Sequence, residues 1–157
     1  MPSVRTHIIR KQISSKVCQK IRESLSNAKT WPDWHRGAKG MIATQAGILE
    51  KGHHLALYQL IKGALIESRW IVENVREDEN FYELIMIFEG QSRMERTTAS
   101  GIKEYRICIT ILLEEEGGVE IHSSWQPKGL AKLFSKNLTA FVTANSNQLL
   151  DDLSSIV

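Results

Sequence analysis

The segment from Gly129 to Val157 reads as one long amphipathic helix, and the chain from Met41 to Trp125 before it carries strand patterns with no second helix among them. Leu130, Leu133, Phe134, Leu138, Phe141, Val142, Asn145, Leu149, Leu153 and Ile156 recur at three- and four-residue steps, which gathers them along one side of a helix. Pro127 and Gly129 stop whatever comes before. A run of strands closed by one terminal helix can wrap a sheet around that helix and leave room between the two. Lys132 and Lys136 fall near the positive end of the helix dipole, and Asp151 and Asp152 near the negative end, so packing rather than its own electrostatics must hold this helix. Asn137 and Asn145 lie on or beside the stripe. A buried amide needs partners, supplied either by the protein and its waters or by a molecule held under the helix.

The strands follow from punctuation and periodicity. Val4 to Ile13 reads as a first strand, after which Ser14 and Ser15 offer an N-cap to a helix carrying Val17, Cys18, Ile21 and Leu25 on one face. Asn27 to Thr30 breaks that helix, and Pro32 suits the first turn of a second short one in Trp31-Pro32-Asp33-Trp34. Six more strands follow: Met41 to Leu49, His53 to Ile61, Leu65 to Val75, Phe81 to Phe88, Ile102 to Leu113 and Val119 to Trp125. Turns at Glu50-Lys51-Gly52, Lys62-Gly63, Arg76 to Asn80, Glu89 to Ser92 and Glu114 to Gly118 separate them. With no crossover helix in between, this is an antiparallel meander of seven strands in a single domain spanning residues 1–157.

Alternation assigns the faces. Tyr105, Ile107, Ile109, Ile111 and Leu113 share one side of their strand and should face the helix. The same parity turns Tyr82, Leu84, Met86 and Phe88 inward, with Ile66, Ser68, Trp70 and Val72, and with Val119, Ile121, Ser123 and Trp125. On His53 to Ile61 the parity is ambiguous, because Leu55 and Leu57 compete with Ala56, Tyr58 and Leu60. This inward set is large and aromatic with few polar groups. It suits an apolar ligand oriented by a few hydrogen bonds, and it equally suits a filled core.

Composition excludes some functions. A formal charge of +2, with no run of Lys and Arg interleaved with exposed aromatics, argues against nucleic-acid binding. Cys18 and Cys108 sit in a helix and mid-strand, away from any disulfide framework or metal-site spacing, which fits a reduced, cytoplasmic setting. The start, MPSVRTHIIRK, lacks the apolar core of a signal peptide, and no stretch approaches a membrane span.

In order, the opening strand THIIRKQI, the helix SSKVCQKIRES, the turn TWPDWHRG, the hairpin GILEKGHHLAL, the hairpin EEEGGVEIHSSW and the terminal helix resemble the START-like helix-grip superfamily, within it the polyketide cyclase/dehydrase and lipid transport family. The resemblance covers nearly the whole chain. It implies an α+β helix-grip fold: a curved seven-stranded antiparallel sheet wrapped around a long C-terminal helix, with two short helices after strand 1. It also implies an apolar cavity that binds lipids, polyketides or related aromatic or isoprenoid molecules. In the cyclases the Trp of the Trp-Pro turn lines the pocket, and Trp31 matches it. Those enzymes also carry Ser and Arg two residues apart on the strand matching Leu65 to Val75, where this chain has Trp70 and Val72.

The expected ligand-lining residues are Trp31, Trp34, Tyr58, Trp70, Tyr82, Met86, Phe88, Tyr105, Trp125, Phe134, Phe141 and Asn145. Carriage of a hydrophobic ligand, or shaping of its reaction, is the leading function. A polyketide aromatase/cyclase or dehydratase is an alternative, and so is a protein-interaction module using Trp34 and the helix surface. For acid-base work the candidates are His35, just after Trp34 and otherwise a solvated loop histidine, together with Tyr82 and Ser68. His53 and His54 are adjacent and point to opposite faces, so they cannot bind one metal as strand neighbours. Glu67 and Arg69 flank Ser68 on the outer face, where an exposed ion pair is worth little, whereas a register slipped by one residue would bring them into the cavity together to orient a polar ligand end. Glu116-Gly117-Gly118 opens no helix and is no phosphate loop, and no cofactor is implied.

Overall fold

The computed structural model describes residues 4–35, 38–43, 47–61, 63–93, 96–98, 102–129 and 135–156. Its first strand, β1 (Arg5–Gln12), leads into α1 (Ser15–Ser26), where the Ser14 hydroxyl accepts from the Val17 N–H at 3.5 Å. Cys18, Ile21 and Leu25 are buried on the face that the spacing predicts, while Val17 packs at its margin. Asn27 ends the helix by taking the Lys29 N–H on its side chain, and a single 3-10 turn leads into α2 (Trp31–Trp34), with Pro32 in its first turn.

The remaining strands are β2 (Ala38–Ala43), β3 (His54–Ile61), β4 (Ala64–Glu77), β5 (Phe81–Arg93), β6 (Arg96–Thr98), β7 (Ile102–Leu112) and β8 (Gly118–Pro127). Seven of them form one antiparallel path, β1-β8-β7-β5-β4-β3-β2, so the first strand closes on the last. The eighth, β6, is a three-residue strand on the margin of β5 that periodicity cannot reveal. Glu89 to Ser92 does not end β5 as the sequence suggests. Arg69 faces Gly90 and Trp70 faces Phe88, so Glu89 bulges out and the strand runs on to Arg93. A second bulge between Val72 and Asn74, and a third at Lys103 to Arg106 where Glu104 takes a positive φ, add further local bends to the long strands.

The described part of the terminal helix, α3, runs Ser135–Ser154, ending three residues short of the expected limit. Leu130, Leu133 and Phe134 lie outside the described residues. Val142, Leu149 and Leu153 are buried against the sheet, and the Ser146 hydroxyl meets that of Ser123 on β8 at 2.8 Å. Asn137 is exposed. The inward parity holds: Tyr105, Ile107, Ile109 and Ile111 of β7, Tyr82, Leu84 and Met86 of β5, Trp70 and Val72 of β4, and Val119, Ile121, Ser123 and Trp125 of β8 are buried. On β3 the ambiguity resolves in favour of Leu55 and Leu57. Leu57 pairs with Ser68, which points in, and Tyr58 pairs with Glu67 on the other face.

At the far end of the sheet, the Gly117-Gly118 turn lies under the β1–α1 junction. A Cβ on Gly117 would stand 2.6 Å from the Ile13 carbonyl oxygen and 3.1 Å from Cys18 Sγ, so only glycine allows this closure.

Candidate functional site

Between the concave face and α3 lies a cavity of about 390 Å³. Leu55 and Leu57 of β3, Ser68 and Trp70 of β4, Met86, Phe88 and Gln91 of β5 and Ile107 of β7 form its sheet side. Phe141, Ala144, Asn145, Gln148 and Leu149 of α3 form its helix side, and Trp31 and His35 close one end. The space exists because the aromatic rings brace one another edge-on instead of filling it. Trp70 stands 5.1 Å from Phe88 and 5.3 Å from Tyr105, centroid to centroid, and Phe141 reaches both Phe88 and Tyr105 from the helix.

Six of the residues expected to line a ligand border this cavity: Trp31, Trp70, Met86, Phe88, Phe141 and Asn145. Trp31 is fixed from behind by its indole N–H, which donates to the Leu25 carbonyl at 3.0 Å. Tyr105 lies one layer deeper. Its hydroxyl accepts from the Asn145 side-chain N–H at 2.9 Å, and burial pushes its phenol well above the ordinary range. The amide on the helix stripe therefore has a partner in the protein and still faces the cavity.

The other expected lining residues stand elsewhere. Tyr58 is on the outer face beside Glu67, a carboxylate whose hydrogen bond raises the phenol, while Arg69 holds the Glu67 carboxyl below its usual value. Trp125 is wholly buried in the core, away from the cavity wall. Tyr82 is buried at the α1 end, beside a groove that includes the Arg22–Glu77 ion pair. Trp34 borders a shallow outer groove and stacks on His35 at 5.5 Å. Phe134 is outside the described residues.

Of the acid-base candidates, Ser68 reaches the cavity and its hydroxyl donates to the Gln91 side-chain oxygen at 3.4 Å. Tyr82 does not reach it. His35 is not a solvated loop residue: it is 5% exposed, and its Nδ1 lies 2.7 Å from Asp152 Oδ2. Asp152 is wholly buried, and its other oxygen accepts from the Gln148 side-chain N–H at 2.8 Å. Sequence reasoning missed both Asp152 and Gln148. The outward residues behave as their parity requires: Arg69 pairs with Glu67 at 2.9 Å and with Ser92, and His122 is exposed. His53 is buried and accepts from the Glu50 N–H, whereas His54 is exposed beside Glu89. Among the described residues no three His, Cys, Asp or Glu side chains converge on a metal position, and no helix is long and apolar enough to cross a membrane.

No family model matches the chain, and no curated protein matches it. Solved structures do match. Ara h 8.0201 aligns with a TM-score of 0.70 at 10% identity, over 96% of this chain and 95% of its own. A START superfamily protein from Mycobacterium smegmatis aligns at 0.60 and 11% identity, over 98% and 99% of the two chains. Norcoclaurine synthase from Thalictrum flavum, in complex with dopamine and hydroxybenzaldehyde, aligns at 0.63 and 16% identity, over 98% of this chain and 85% of that one. Identities this low carry the fold alone. A sheet closed first strand to last, two short helices after β1 and one long helix across the concave face make this chain a START-like helix-grip fold.

Proposed function

We propose that the cavity binds a hydrophobic small molecule, for carriage or to shape its reaction. The observation that carries this reading is the cavity itself: about 390 Å³, walled by Trp31, Trp70, Phe88, Phe141 and aliphatic side chains, with polar groups at a few points. That volume lies within the roughly 300–1,000 Å³ of small-molecule sites, and apolar walls of this kind gain nothing from holding water. The complex of norcoclaurine synthase with dopamine and hydroxybenzaldehyde supports a small aromatic occupant for a cavity of this architecture. Trp31, Trp70, Met86, Phe88, Phe141 and Asn145 are the residues assigned to ligand contact. The free thiols Cys18 and Cys108 fit a cytoplasmic protein.

A two-ring aromatic burying roughly 250 Å² of apolar surface gains about 6 kcal/mol, less the cost of immobilisation. Affinity is therefore expected in the range of tens of micromolar or weaker for a probe that fits only by shape. Calorimetric titration with 2-naphthol tests the reading, with native mass spectrometry of protein from its own host to weigh any retained ligand. Leu57→Trp, which projects a larger ring from β3 into the cavity, should weaken 2-naphthol at least tenfold while the melting temperature holds. Equal binding by the filled variant, or no saturable binding by wild type, defeats the proposal.

A further inference from the structure

Away from the cavity, a second recess of about 580 Å³ lies at the α1 end of the sheet and shares no lining residue with the first. Arg22 of α1, the segment Ile48 to Lys51 ahead of β3, and Val75 and Glu77 of β4 border it, with Tyr82 of β5 at its floor. Glu77 and Tyr82 are cross-strand partners at the end of the β4–β5 hairpin, which turns both side chains to one face. Arg22 reaches Glu77 at 3.1 Å and ties α1 to the hairpin there. Tyr82 is 1% exposed, yet its hydroxyl has no hydrogen-bond partner among the described residues. Burial, and after it the Glu77 carboxylate, hold the phenol above its ordinary range, while Arg22 pulls the other way. The two charges that act on this hydroxyl are therefore those of the groove's own ion pair. A buried O–H that keeps its proton and lacks an acceptor carries a desolvation penalty, which an occupant bearing an acceptor would relieve.

The other lining groups narrow the class of occupant. Arg22 and Lys51 bring two positive charges against the three negative charges of Glu23, Glu50 and Glu77, so the groove does not favour an anion. An ammonium or guanidinium has only donors to offer to a hydroxyl that itself needs an acceptor. Apolar surface is present beside the hydroxyl: Leu49 is buried, Val75 is half-buried and Ile48 is exposed. We propose that this groove is a second ligand site, taking an uncharged carbonyl compound with a compact apolar ring, whose oxygen accepts the Tyr82 O–H and whose ring packs on Ile48, Leu49 and Val75. The site stands independently of the cavity, and no bond is made or broken in it. Its rival is an ordered water on the same oxygen, which would satisfy the hydroxyl without any ligand.

Titration of the nitrogen-15-labelled full chain with 1-indanone, followed by amide NMR, reads the two sites separately. The Leu49, Lys51 and Glu77 amides report the groove, and those of Ser68 and Asn145 report the cavity. The groove amides should shift to saturation with 1-indanone, and indane, the same ring system without the oxygen, should bind there about tenfold more weakly. Tyr82→Phe keeps the ring volume and removes the donor, so it should weaken 1-indanone at the groove about tenfold and bring the two probes to equal affinity. That convergence is not what a loss of structure produces. Ile48→Ser, a change at an exposed position, should weaken both probes together and preserve the preference for 1-indanone. Groove amides that do not saturate, or a Tyr82→Phe protein that still prefers 1-indanone to indane, overturn the inference and leave the hydroxyl with an ordered water only. Either result leaves the cavity reading untouched, since Ser68 and Asn145 report it in the same spectra.

Discussion

Two tyrosines in this fold should respond to the same substitution with opposite signs. Tyr82 and Tyr105 are both wholly buried on the concave side of neighbouring strands. The Tyr105 hydroxyl accepts from Asn145 across the sheet–helix boundary, whereas the Tyr82 hydroxyl has no hydrogen-bond partner among the described residues. A buried hydroxyl without a partner carries a desolvation penalty of about 1–3 kcal/mol, and phenylalanine fills the same ring volume without it. Tyr82→Phe should therefore stabilise the protein by about 1 kcal/mol or more. Tyr105→Phe loses a bond of about 1 kcal/mol and leaves the half-buried Asn145 amide short of an acceptor, a cost of about 1–2 kcal/mol in total. The two variants should differ by roughly 2–4 kcal/mol, which for a chain of this size is on the order of 5–15 °C in melting temperature. Urea unfolding followed by tryptophan fluorescence, with the slope unchanged between variants, measures this directly. Shifts of the same sign refute the reasoning, and destabilisation by Tyr82→Phe beyond about 1 kcal/mol would show that its hydroxyl is satisfied after all.

Gly117→Ala should cost at least about 2 kcal/mol, because the backbone oxygens of Ile13 and Leu112 and the Cys18 sulfur crowd the new Cβ and none is a flexible side-chain tip; thermal unfolding checks it. Gly90→Ala is the contrasting case: its new Cβ would meet the Arg69 guanidinium, a flexible tip, but the backbone there holds φ +159°, where a side chain is strained, so a cost of about 1–3 kcal/mol is expected from the backbone rather than from crowding. Stability should also fall in alkali. Burial raises the phenols of Tyr82 and Tyr105 and lifts the Cys108 thiol from 9.0 to about 11, so the folded state keeps protons that the unfolded chain has already released. The contribution is complete below the unfolded values and is lost as pH rises: the decline begins near pH 9 with Cys108 and steepens past pH 10 by about 1.4 kcal/mol per pH unit for each buried phenol. Urea midpoints that stay flat between pH 9 and 11.5 contradict this, and Tyr82→Phe should remove one phenol's share of the slope.

Much of the fold is legible in the sequence because burial imposes period 2 on the strands and period 3.6 on the helices. On β7, alternating Ile107, Ile109 and Ile111 against Arg106, Cys108 and Thr110 leaves one face available for the core. Where both parities are apolar, as with Leu55 and Leu57 against Ala56 and Tyr58, the sequence holds no decision, and the neighbouring strand supplies it. Ser68 must face in with Trp70 and Val72, so its partner Leu57 does as well and Tyr58 turns out. Tyr58 therefore stands apart from the cavity through register, a non-local property. The continuation of β5 past Glu89 is hidden for a related reason. A Gly-containing polar stretch reads as a turn, yet one bulged residue lets the ladder resume, and Gly90 then leaves the space that the Arg69 side chain occupies.

The His35–Asp152 pair is harder to read, since its members are 117 residues apart and Asp152 belongs to no motif. The signal was nevertheless present in the helix. Asn145, Leu149, Asp152 and Ile156 are spaced by four, three and four, which sets Asp152 on the apolar stripe, while Asp151 falls beside it. Treated alike, the two acids are an unfavourable charge pair at the negative end of a helix dipole, to be outweighed by packing. Treated separately, only one is a surface residue: Asp151 is exposed and Asp152 is wholly buried. A carboxylate forced into the interior at that end of a helix needs donors brought from another element. The Trp-Pro-Asp-Trp turn is the segment that brings one, since α2 ends at Trp34 and delivers the next residue, His35, to the end of the cavity. The helix that the spacing marks as a structural wall thus carries, in its final turn, a buried acid paired with the histidine at one end of the cavity.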